Sequence, residues 1–128
     1  MRAEPRSRIG VLVVDDQHFF RRAVVALIRS VPSLEVLGEA RSGEEAVEMA
    51  HSLAPDFVLM DVKLPGIDGV TATARIVSDL PSTRVLLVST YELADLPARM
   101  ATCGAIGFSR KQDLDARVLL DSATTWTA

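Results

Sequence analysis

At 128 residues, 48% hydrophobic and 24% charged, the chain has the size and composition of one globular domain able to bury its own core. A net charge of −3 supplies no basic face for nucleic acid, so no nucleic-acid contact by this domain is expected. The single cysteine, Cys103, excludes an intramolecular disulfide and a multi-cysteine metal site, and the apolar runs are strand-sized, too short for a membrane helix.

The polar start MRAEPRSR, residues 1–8, reads as an extended tail without signal-peptide character, and 9–128 as the folded domain. With one cysteine, a reducing, cytoplasmic setting is expected. IGVLVV (9–14) is a continuous branched run, expected as a central strand buried on both faces, and it runs directly into Asp15 and Asp16. In 17–31 Phe20, Val24, Leu27, Ile28 and Val31 form a helical stripe that Pro32 stops, with Asp16 expected to help cap it. LEVLGEA (34–40) alternates, placing Leu34, Val36, Gly38 and Ala40 on one side, as a half-exposed edge strand would.

Ala46, Met49, Ala50 and Leu53 mark a second helix over 43–53, and DFVLM (56–60) a third strand that ends at Asp61. Val70, Ala74, Val77 and Leu80 mark a third helix over 69–80, closed by Pro81. TRVLLVS (83–89) is the fourth strand, leading into Ser89 and Thr90. In YELADLPARMATC (91–103) Pro97 is tolerated only in a first helical turn, so a short, mobile fourth helix starting near Asp95 with Asp95 as cap is expected. AIGFS (105–109) is the fifth strand, shortly before Lys111. The segment 113–126, with Leu114, Val118, Leu119 and Trp126, is the last helix, with Asp113 as its cap.

Five alternating strand–helix units imply a parallel sheet covered on both faces with right-handed crossovers, and such sheets bind ligands at the carboxyl ends of their strands. That edge collects Asp15, Asp16, Asp61, Ser89, Thr90 and Lys111. Three carboxylates in one small volume are costly unless compensated, and a hard divalent cation with oxygen ligands compensates them. A carboxylate beside such a cation can attack phosphorus, a chemistry that needs mainly positioning and neutralisation of the phosphoryl oxygens. Mg²⁺ (or Mn²⁺), Lys111 and the Ser89 hydroxyl supply these.

The motifs VLVVDDQ, LMDVKLPGIDG, VLLVSTYE and GAIGFSRK stand in the order and spacing of a response-regulator receiver domain of two-component signalling, which the chain resembles over nearly its whole length. STYE and LPGIDG resemble most the NarL/FixJ (LuxR-type) receivers attached to helix-turn-helix domains. The resemblance implies a flavodoxin-like (βα)5 fold, a doubly wound parallel sheet in strand order 2-1-3-4-5 with helices on both faces. It implies phosphorylation of Asp61 by a sensor histidine kinase recognised chiefly by the first helix, with Mg²⁺ held by Asp15, Asp16, Asp61 and the backbone carbonyl of Lys63. Ser89, Thr90 and Lys111 would receive the phosphoryl group, and Phe108, which reads equally as core, stands at the switch-aromatic position. The signal would leave through the fourth helix, fifth strand and fifth helix.

Lys63 and Tyr91 flank the site where receivers tune phosphoryl lifetime. Gln112 departs from the family, which often has Pro there in a cis peptide. The resemblance implies a switch that catalyses only its own phosphorylation and dephosphorylation, with output to transcription and homodimerisation on activation as a further arrangement. The alternatives are a stand-alone receiver acting by protein contact, a degenerate receiver that signals without phosphate, and an aspartate-based phosphatase. The last fits less well because Lys63 stands where such enzymes carry a second Asp. SATTWTA at the end carries no linker charge or glycine, which points to a stand-alone receiver or to one supplied without its effector.

Overall fold

A computed structural model describes residues 7–90 and 97–124. In chain order the elements are β1 (Ile9–Val14), α1 (His18–Arg29), β2 (Leu34–Ala40), α2 (Gly43–Leu53), β3 (Phe57–Asp61), α3 (Gly69–Asp79), β4 (Arg84–Ser89), a 3-10 helix (Ala98–Thr102), β5 (Gly107–Arg110), a 3-10 turn (Lys111–Asp113) and α4 (Ala116–Thr124). All strand pairs are parallel and the order is β2-β1-β3-β4-β5, the expected doubly wound sheet. β1 is interior, but β3 is the middle strand. β1, β3 and β4 are buried almost throughout because helices cover both faces, which is why these runs carry apolar residues without alternation.

The two faces carry separate cores. Val11, Val13, Phe57 and Leu59 pack against Val24, Val25 and Ile28 of α1 and Leu119 of α4. Leu12, Val14, Val58 and Met60 pack against Ala46 and Ala50 of α2 and Val70 and Ile76 of α3.

Several sequence expectations are corrected. β2 is the expected edge strand, but its register against β1 shifts between Val11↔Val36 and Leu12↔Gly38, leaving Leu37 as an extra residue. A bulge reverses the facing of everything beyond it. Leu34 and Val36 therefore pack in the α1–α4 core, while Ala40 joins the α2–α3 core. A Cβ at Gly38 would meet Met49 and Leu53 of α2. The buried face of α3 is Gly69, Val70, Ala72, Thr73 and Ile76, not the stripe through Ala74, which is exposed.

Asp16 does not cap α1: Gln17 is the N-cap residue and makes no side-chain cap bond. Asp113 lies in the 3-10 turn, and Asp115 caps α4 by accepting from Val118 N–H at 2.8 Å. In place of a fourth α-helix, the described part of the β4–β5 crossover is the 3-10 helix preceded by Pro97, whose fixed φ and missing N–H suit the position before a first turn. Asp95, Tyr91 and Trp126 lie outside the described residues. The Lys111–Gln112 peptide is trans, since no cis bond occurs among the described residues.

The β3–α3 loop is held from two sides. The Glu44 carboxylate of α2 accepts from Ile67 N–H at 3.2 Å, and Gly66 takes a positive φ of 75° that favours glycine. Asp68 caps α3 by accepting from Thr71 N–H at 2.8 Å, and its carboxylate is also bonded by Arg99 from the 3-10 helix. Partial burial alone would raise the Asp68 pKa, but the bonds from Thr71 and Arg99 hold it below the ordinary value.

Candidate functional site

Asp15 follows β1, Asp61 ends β3, Ser89 ends β4 and Lys111 follows β5, so the parallel topology alone carries all four to one edge of the sheet. Asp15 is fully buried, Asp61 is 4% exposed and Ser89 is buried, whereas Asp16 and Thr90 are exposed. One carboxylate oxygen from each of Asp15, Asp16 and Asp61 lies within 4.8 Å of the others.

Three hydrogen bonds fix the β1–α1 loop around Asp15. Its Oδ1 accepts from Gln17 N–H at 2.8 Å, Gln17 C=O accepts from Arg21 N–H at 3.0 Å, and Arg21 Nη1 donates to the Asp15 carbonyl at 2.9 Å. Arg21 is itself buried and braced by Glu39 of β2, whose Oε1 lies 3.0 Å from Nε. Arg21 is a site residue that the sequence reading does not include. Its one sequence signal is its spacing four residues before Val25 on the buried side of α1.

Asp15 Oδ2 makes no well-aligned hydrogen bond, and its compensation is the Lys111 ammonium 2.6 Å away. The same Nζ lies 3.4 Å from Asp61 Oδ2 and 3.0 Å from Gln17 Oε1, and it sits 4.4 Å from the centre of the Phe20 ring. Lys63 N–H donates to Asp61 Oδ1 at 3.3 Å. Burial, and then the neighbouring Asp15 charge, push the Asp61 pKa from 3.8 up to about 7, with Lys111 and the Lys63 N–H pulling the other way.

The donor set is chemically suited to a hard divalent cation: three carboxylates, one with a buried oxygen that only a positive charge compensates. The remaining predicted residue, Phe108, lies away from this cluster. It is half-buried on the α2–α3 side of β5 and lines an apolar cavity of about 440 Å³ with Leu87, Pro97, Ala98 and Met100.

Residues 11–123 match the family of response regulator receiver domains. The chain belongs to that family. It is 41% identical over 103 residues to the response regulator GacA of Pseudomonas viridiflava, covering 80% of this chain and 48% of that protein. It is 40% identical over 124 residues to a protein-glutamate methylesterase/protein-glutamine glutaminase of Myxococcus xanthus, covering 89% of this chain and 35% of the other. Among solved structures, the signal receiver domain of the putative response regulator NarL from Mycobacterium tuberculosis superposes with a TM-score of 0.86 at 33% identity, over 94% of this chain and all of that one. The receiver thus spans about half the length of the GacA relatives, and related receivers occur in proteins with different outputs. No described helix is long and apolar enough to cross a membrane.

Proposed function

We propose that this receiver is phosphorylated on Asp61 by a sensor histidine kinase in the cytoplasm and acts as a switch for an output of the NarL/FixJ transcriptional type. The observation that carries the reading is the pairing of Asp61 with both a carboxylate cluster and Lys111 at the carboxyl edge of the sheet. The transcriptional output rests on the STYE and LPGIDG motifs. It rests also on the likeness to the NarL receiver and to the transcriptional regulatory protein LnrK of Bacillus subtilis, 37% identical over 117 residues. In this reading residues 1–8 are a tail and 9–128 the receiver, which itself touches neither nucleic acid nor membrane and homodimerises on activation.

Asp15, Asp16, Asp61 and the Lys63 carbonyl would hold Mg²⁺ or Mn²⁺, which when bound neutralises the carboxylates and the phosphoryl oxygens. An Asp61 carboxylate oxygen attacks the phosphorus of the donor phosphohistidine. The P–O bond forms as the P–N bond breaks, and the imidazole leaves with the electron pair and takes up a proton. Asp61 must be ionised to attack, and the Lys111 charge favours that form. Lys111, Ser89 and Thr90 then bind the phosphoryl oxygens, and Phe108 swings inward to alter the output face. Water later attacks phosphorus, releasing phosphate and restoring the carboxylate. The two conformations need differ by only a few kcal/mol for a phosphoryl group to bias them.

Incubation with acetyl phosphate should add a single phosphoryl group by intact mass in the presence of Mg²⁺ and none in the presence of a chelator. Absence of any adduct under conditions that label a control receiver would favour the degenerate form.

A further inference from the structure

The Lys111 ammonium donates to Gln17 Oε1 at 3.0 Å and Asp61 Oδ2 at 3.4 Å and forms an ion pair with Asp15 Oδ2 at 2.6 Å. The two carboxylates are also the groups that a divalent cation and a phosphoryl group would engage, so both contacts weaken when the site is loaded. The Gln17 carboxamide is neutral and is not one of the three clustered carboxylates, so loading them does not compete for it directly. It is the acceptor that can stay on Lys111 throughout. The Phe20 face, 4.4 Å from Nζ, supports the ammonium from the adjoining helix α1.

We infer that Gln17 is a positioning residue that holds the Lys111 ammonium toward the phosphoryl position once Asp15 has turned to the cation. The inference rests on the proposed phosphorylation of Asp61. Without Gln17 the flexible four-carbon stem must be ordered by the phosphoryl group itself, at a cost in lysine rotamer freedom. The backbone of Gln17 is pinned independently, by Asp15 Oδ1 and Arg21 N–H, and its side chain is exposed, so a substitution there leaves the loop in place.

Gln17→Met keeps the length and removes the acceptor. The test compares wild type, Gln17→Met, Lys111→Met and the double variant, using beryllofluoride as a phosphoryl analogue in saturating Mg²⁺. Mg²⁺ affinity is measured alone, and the Lys111 ¹³Cε resonance in the metal-free protein. Gln17→Met should weaken beryllofluoride binding roughly tenfold, as expected for a hydrogen bond to a charged group. It should shift the Lys111 ¹³Cε resonance and leave Mg²⁺ affinity unchanged, and it should add no loss on the Lys111→Met background. Wild-type affinity in Gln17→Met, an unmoved ¹³Cε resonance, or the same tenfold loss without Lys111 would overturn the inference while leaving the Asp61 reading intact. A wild-type protein that binds no beryllofluoride would overturn that reading, and this inference with it.

Discussion

Asp61→Asn should make the metal-free protein more stable by about 2–4 kcal/mol at mildly alkaline pH, while removing its capacity to accept a phosphoryl group. The cause is the placement of a carboxylate, 4% exposed, beside the buried Asp15, with its pKa raised from 3.8 to about 7. The sign is set by proton linkage. Between about pH 4 and pH 7 the unfolded chain has released the Asp61 proton and the folded chain still holds it. This group's contribution to stability is therefore complete below about pH 4, declines as pH rises through that window, and is lost above about pH 7. Asparagine carries no charge to bury, so the variant should lack this decline. Urea unfolding of both proteins in chelator across that range checks it, and equal stabilities at alkaline pH would contradict the described electrostatics. Added Mg²⁺ should stabilise the wild type most where Asp61 is ionised, and much less in the variant.

Gly69→Ala should cost at least about 1–3 kcal/mol of stability and slow phosphorylation as well. Gly69 opens α3 where the loop after Asp61 folds back onto β3, with its N–H donating to Val62 C=O at 2.9 Å. A Cβ there would lie 2.8 Å from the Asp61 carbonyl carbon, nearer still to its oxygen, and 3.0 Å from Val62 Cα. These are backbone atoms of a buried strand end, so no side-chain rotation relieves the overlap, and overpacking of this kind costs about 1–3 kcal/mol or more. Relief requires α3 and the end of β3 to move apart, which displaces the backbone of Asp61 itself. Thermal unfolding and the rate of labelling by acetyl phosphate would report the two effects. A variant with wild-type stability would show that the loop has room the described packing does not allow.

β1, β3 and β4 are legible in the sequence because they announce themselves twice, by continuous apolar runs and by the polar residues at their carboxyl ends. The convergence of Asp15, Asp61, Ser89 and Lys111 needs only parallel strands and the rule that sites form at those ends. The failures are places where one residue changes the phase of a pattern. Leu37 is an added residue in β2, and alternation cannot be read across a bulge. On α3 the buried face contains Gly69 and Thr73, which an apolar stripe overlooks, so the pattern points to exposed Ala74 instead. The sequence points to Asp113 as the cap of the last helix, but the 3-10 turn over Lys111–Asp113 delays the helix start and passes that role to Asp115. Arg21 and Gln17 escape a sequence reading for a different reason. Their roles depend on partners in β2 and after β5 that no local spacing displays.

The proposed switch carries its phosphoryl group on Asp61. Borohydride reduction of the protein after labelling with acetyl phosphate and Mg²⁺, followed by tandem mass spectrometry, tests it most directly, because an acyl phosphate is reduced to the alcohol and leaves homoserine in place of aspartate. Homoserine is expected at position 61 alone, and absent when Mg²⁺ is chelated. Homoserine at position 15 or 16, or none in a sample that carries a phosphoryl adduct, would contradict it.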